Sequence, residues 1–140
     1  MTVQAVHLHV PAHLYRRLAE AADAAQQPLE QVTLQSIRAG LPPGMERVPE
    51  QFRADLRTLH GLSDELLWRV ARSELENDRV ALYEMLLEKN QRGVLSEADQ
   101  TRLDTLRREA DLLMLRRSYA YALLKWRGHR IPTLAELQVP

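Results

Sequence analysis

The sequence predicts a mainly α-helical protein: one N-terminal strand followed by two short helices, then a C-terminal helical hairpin or bundle. Three observations carry this prediction. Residues 4–10, Gln-Ala-Val-His-Leu-His-Val, alternate strictly, with Val6, Leu8 and Val10 on one side and Ala5, His7 and His9 on the other. Such alternation marks a half-buried strand. From residue 12 onward the apolar positions recur instead at three- and four-residue steps, the period of a helix. Proline, glycine and serine punctuate those helical stretches at intervals that set their ends.

The strand is the first element. A lone strand cannot satisfy its backbone N–H and C=O groups, so it is expected to pair with a second copy of itself in a homodimer. Pro11 ends the extended run and suits a helix start. Leu14, Leu18, Ala21, Ala22 and Ala25 then mark a helix over residues 12–25, broken by Gln26-Gln27-Pro28. A second helix starts at Pro28, shows Leu29, Val32, Ile37 and Leu41 on one face, and stops at Gly40 and Pro42-Pro43-Gly44. A unit this small needs a partner to bury its single-sided faces.

Residues 4–41 resemble a ribbon-helix-helix module, through Val-His-Leu-His-Val-Pro-Ala-His-Leu-Tyr-Arg-Arg-Leu followed by Pro-Leu-Glu-Gln-Val and the apolar Ile37 and Leu41. The resemblance implies an intertwined dimer whose two strands form a ribbon that enters the DNA major groove. It assigns base-edge contacts to Ala5, His7 and His9, and a phosphate clamp to the helix start at Pro28 and Leu29. It also implies a transcriptional repressor, often the antitoxin of a toxin–antitoxin pair. Charge gives such a module little attraction to phosphates. Residues 1–44 hold Arg16, Arg17 and Arg38 against Glu20, Asp23 and Glu30, a net of zero.

Residues 42–49 read as a linker, with Pro42, Pro43, Gly44 and Pro49 close together, and residues 50–140 as an α-helical domain with a C-terminal tail. A short helix over residues 50–59 carries Phe52, Leu56 and Leu59 and ends at Gly61. Ser63 caps the next helix, with Asp64 and Glu65 in its first turn and Leu66, Leu67, Val70 and Ala71 on its buried side. Asn77-Asp78 marks a further cap after a break at residues 73–77, and residues 78–91 form a helix ended by Arg92-Gly93. Ser96 opens the longest helix, uninterrupted until Gly128 and roughly 45 Å long at 1.5 Å per residue. It should fold back on residues 78–91 as an antiparallel hairpin.

The stretch 116–126 has a broad apolar surface. Two expectations follow for it: core packing against residues 50–73, or binding of a partner protein such as a toxin. For the second, the candidate residues are Arg116, Arg117, Tyr119, Tyr121, Trp126 and Arg127, residue types that anchor interfaces. The tail, 131–140, carries Leu134 and Leu137 and can pack on that surface or meet a partner.

Other classes find little support. The 140 residues hold no cysteine and no net charge, with 45% apolar and 27% charged residues. No apolar run reaches the ~18 residues that suggest a membrane span. No N-terminal signal pattern is present, so a soluble cytoplasmic protein is expected. There is no glycine-rich phosphate loop, nucleophile elbow or metalloprotease motif, so neither an enzyme nor a cofactor is expected. His7 and His9 share a strand face and could converge on a metal, but two imidazoles fall short of three or four ligands, so no metal site is assigned. Two functional readings remain: a DNA-binding repressor with a partner-binding C-terminal part, or an interaction protein that uses its N-terminal module only to dimerise.

Overall fold

Residues 2–137 are described by a computed structural model, with the side chain of Leu134 left out of the description. The chain divides into two units, Met1–Leu41 and Pro42–Pro140.

In the first unit, helix α1 (Ala12–Ala25) starts where Pro11 offers its carbonyl to the N–H groups of Leu14 and Tyr15, both at 3.0 Å. It ends in a left-handed residue, Gln26, at φ 53°. The N–H of Gln27 reaches the carbonyl of Ala22 and that of Gln26 the carbonyl of Asp23, the paired closure usually built on glycine. Helix α2 (Leu29–Gly40) follows directly, with Pro28 as its N-cap and Pro28 O accepting from Gln31 and Val32. α1 and α2 pack on each other, yet only Ala22 is buried among the described residues of this unit.

The expected N-terminal strand is absent. No residue among those described is in a β-strand, and residues 2–11 have no regular structure. The ribbon-helix-helix fold class is thereby corrected: the first unit is a helical hairpin preceded by an irregular segment. The physical reason lies in what alternation encodes. It sorts side chains onto two sides, but a strand also needs a ladder of hydrogen bonds to a neighbour, and nothing else in the chain alternates to supply one.

The second unit is built round one long helix. α3 (Glu50–Arg57) runs into a 3-10 turn (Thr58–Gly61), and Ser63 caps α4 (Asp64–Ala71) by accepting from Leu66 N–H at 3.3 Å. α5 (Asn77–Gln91) and α6 (Glu97–Trp126) form the hairpin, and α7 (Leu134–Leu137) is a single terminal turn. Lys89 pairs with Asp99 at 3.4 Å near the turn, and Arg79 with Glu109 at 3.0 Å further along, which fixes the antiparallel register. The start of α6 is a capping box: Ser96 Oγ accepts from Asp99 N–H, and the Asp99 carboxylate accepts from Ser96 N–H. Partial burial works to raise the Asp99 pKa, but the Ser96 N–H and the nearby Lys89 ammonium outweigh it and hold the carboxyl below its usual range.

Two apolar clusters lie along α6. Leu86, Leu103 and Leu106 join the hairpin, with Leu82, Tyr83, Leu87 and Leu95 around them. Leu56, Leu59, Leu67, Ala71, Tyr119, Ala120, Leu123 and Leu124 form the main core. The apolar surface of residues 116–126 therefore meets α3, the 3-10 turn and α4. Three finer expectations change. Leu66, read as buried, is 42% exposed. Helix α5 begins one residue early with Glu76 as N-cap and no side-chain cap bond, and Asp78 Oδ1 instead accepts from Arg79 N–H. Residues 42–49 are held on the domain: Met45 and Val48 pack on its core, and Pro43 O accepts from the Tyr119 hydroxyl at 2.9 Å.

Candidate interaction surfaces

In the first unit, large apolar residues of the N-terminal segment and of both helices have too little to cover them. Val3, Val6, Leu8, Leu14, Tyr15, Leu34, Ile37 and Leu41 are all exposed, Val6 by 77% and Leu41 by 60%. A groove of about 400 Å³ runs between α1 and α2, lined by Val10, Leu14, Leu18, Ala21 and Val32 with Arg17 and Ser36 at its edges. Its lining is apolar, with few polar groups to orient a small ligand.

The residues assigned to DNA lie in this unit. Ala5, His7 and His9 are exposed within the irregular N-terminal segment. Pro28 is the α2 N-cap and has no N–H to offer, and Glu30 places a carboxylate in the first turn where a phosphate would sit. The Leu29 carbonyl accepts from Thr33 Oγ1 at 2.8 Å. Among the described residues, no three histidines or carboxylates are grouped to hold a metal ion.

The residues assigned to a partner lie in the second unit, and most are engaged inside it. The Arg116 guanidinium pairs with the Asp55 carboxylate. Arg117 Nε donates to the Ala71 carbonyl at 3.2 Å, where α4 ends and its carbonyls lack helical partners. Tyr119 is 7% exposed. Its hydroxyl donates to Pro43 O, so the 2.7 Å contact with His60 must be donated by imidazole Nε2–H. Burial raises the Tyr119 pKa, with a smaller push from Glu46. The Tyr121 ring meets Trp68 edge-on at 6.2 Å. Arg127 donates to Asp64 Oδ1 at 2.7 Å, to Leu62 O at 2.9 Å and to His60 O at 3.1 Å. Trp126 is 47% exposed.

Two features were not singled out from the sequence. One is a groove of about 310 Å³ on α6, lined by Ala110, Leu113, Met114, Arg117, Ser118, Tyr121 and the tail residue Leu137. Met114 is 67% exposed beside it. The spacing 110, 113, 114, 117, 118, 121 is a complete helical stripe, and that was the available signal. The other is a polar clasp on Asp64. The Arg127 hydrogen bond, and after it that of His129 at 2.6 Å, hold the Asp64 carboxyl below its ordinary pKa of 3.8. His129 also meets the Trp68 ring edge-on at 6.0 Å.

No helix among the described residues is long and apolar enough to cross a membrane. The chain matches no protein-family model, no curated protein and no solved structure with which it was compared.

Proposed function

We propose that this is an interaction protein that works as a homodimer assembled through residues 1–41, with residues 42–140 as the part that meets other proteins. One observation carries the reading: among the described residues of the first unit only Ala22 is buried, while eight large apolar side chains besides Val10 are exposed. About forty residues cannot bury enough surface to be stable alone without a disulfide, a metal or a partner, and cysteine is absent. Exposed apolar surface on this scale marks a contact site. The unit also carries three arginines against three carboxylates, so two copies meet without net repulsion. Light scattering on the eluting full chain should give twice the 16.1 kDa monomer mass. Leu34→Glu with Ile37→Glu should return it to one. A wild-type monomer at high concentration would remove the reading.

A second reading, a DNA-binding repressor of the antitoxin type, is favoured by the resemblance of residues 4–41 to ribbon-helix-helix modules and by the accessible His7 and His9. Fluorescence anisotropy against the upstream DNA and a scrambled duplex, at two salt concentrations, separates the two. A sequence preference that survives added salt, and is lost on His7→Ala with His9→Ala while the dimer persists, makes the repressor the better account. Equal or absent binding leaves the first unit as a dimerisation device.

A further inference from the structure

Helix α2 carries two charged residues, Glu30 in its first turn and Arg38 in its last. They stand four residues before and four residues after Leu34, and that spacing puts all three on one helical face. The face is open: Glu30 and Arg38 are exposed, Leu34 is 47% accessible and Ile37 beside it 44%. A hollow of about 500 Å³ lies along it, lined by Pro28, Glu30, Gln31, Leu34, Gln35 and Arg38. Among the described residues neither Glu30 nor Arg38 makes an ion pair. We propose that the homodimer closes by laying α2 antiparallel on the α2 of a second copy, with the two-fold axis at Leu34 and each Glu30 paired with the partner's Arg38. This rests on the homodimer proposed above and gives it a register.

Symmetry and charge together select this arrangement. In a two-fold contact, whatever residue i meets on the partner must meet residue i in return. With the axis at Leu34, Glu30 falls opposite the partner's Arg38 and Arg38 opposite the partner's Glu30. Leu34 meets its own copy in the hollow, and Ile37 lies against the aliphatic stem of the partner's Gln31. The competing arrangements bring like charges together. A parallel pair sets Glu30 against the partner's Glu30 and Arg38 against the partner's Arg38. Sliding the antiparallel pair by one turn moves the axis to Glu30 or to Arg38, and the residue on the axis then faces its own copy. Exposed ion pairs add little affinity. Their contribution here is discrimination: apolar contact through Leu34 and Ile37 holds the copies together, and the charges penalise every other register.

Charge reversal in the full chain tests this. Glu30→Arg sets arginine against arginine at both ends of the contact, and Arg38→Glu sets carboxylate against carboxylate. Sedimentation equilibrium should show each variant alone dimerising about ten-fold or more weakly than wild type. An equimolar mixture of the two variants should recover a dimer close to wild-type strength. Native mass spectrometry, with one variant isotopically labelled, should find one chain of each in it. The recovery separates pairing from an effect inside one helix. Glu30 and Arg38 also suit the dipole of α2 itself, and loss of that benefit would weaken both variants without recovery, because each chain keeps its reversed charge on mixing. A dimeric wild type indifferent to both substitutions, or variants that weaken and do not recover when mixed, would overturn this register and leave the homodimer standing. A monomeric wild type would remove the homodimer and the register together.

Discussion

Tyr119 carries more at the scale of a single residue than its position on an apolar stripe suggests. Its ring fills the main core while its hydroxyl joins His60 to the Pro43 carbonyl, tying together segments 59 and 76 residues away in sequence. Tyr119→Phe keeps the ring and strands both partners in a part-buried site. An unsatisfied group of this kind costs about 1–3 kcal/mol, so urea unfolding should show a loss in that range with no change in helical content. Asp64 makes a different prediction, about pH. Its carboxyl is held below 3.8 by Arg127 and His129, so its contribution is present above its unfolded value and lost as pH falls through the folded one. Asp64→Asn should therefore be less stable than wild type at neutral pH, and the gap should close below about pH 4. Thermal melts across that range check it, and a gap that stays constant with pH would refute it.

The elements differ in how visible they are in the sequence. The ends of α1, α4 and α6 are legible because their causes are local: Pro11 before α1, Ser63 before α4, and Ser96 with Asp99 on α6. The antiparallel hairpin follows from the same short-range signals, since Gly93 at φ 71° turns the chain between two long apolar patterns. Arg116, Arg117 and Arg127 show where local reading stops. Arginine beside aromatics has one composition whether it faces a partner or its own domain. What decides the matter is Asp55, the Ala71 carbonyl and Asp64, from 46 to 63 residues away. The strand at residues 4–10 fails for a related reason, because alternation describes one strand and a sheet needs two. The hairpin itself is thin. Leu86, fully buried, joins α5 to Leu103 and Leu106 on α6, and the main core is a separate cluster. Leu86→Ala should cost about 2–4 kcal/mol, felt locally. Amide exchange should accelerate along α5 and the first half of α6 while residues 119–124 keep their protection. Uniform acceleration would mean that the two clusters unfold as one.

For the whole molecule, the consequence of two unequal units is two unequal stabilities. Residues 42–137 contain both apolar clusters and all the long-range polar ties described above, so this unit holds itself together. Among its described residues the first unit buries one alanine. Its proposed stability comes from association, which makes it depend on concentration in a way an intramolecular core does not. Thermal unfolding of the full chain, followed by circular dichroism over a hundred-fold range of concentration, should therefore show two transitions. The upper one, from the second unit, should stay where it is. The lower one should climb by on the order of 10 °C, because a hundred-fold change in concentration is worth about 2.7 kcal/mol and small domains move several degrees per kcal/mol. Ile37→Glu, on the exposed face of α2, should erase the concentration dependence and lower only the first transition. Tyr119→Phe, whose contacts all lie in the second unit, should lower only the upper one. A single transition indifferent to concentration would show that residues 1–41 are stabilised without a second copy, and the homodimer proposed for them would have to be given up.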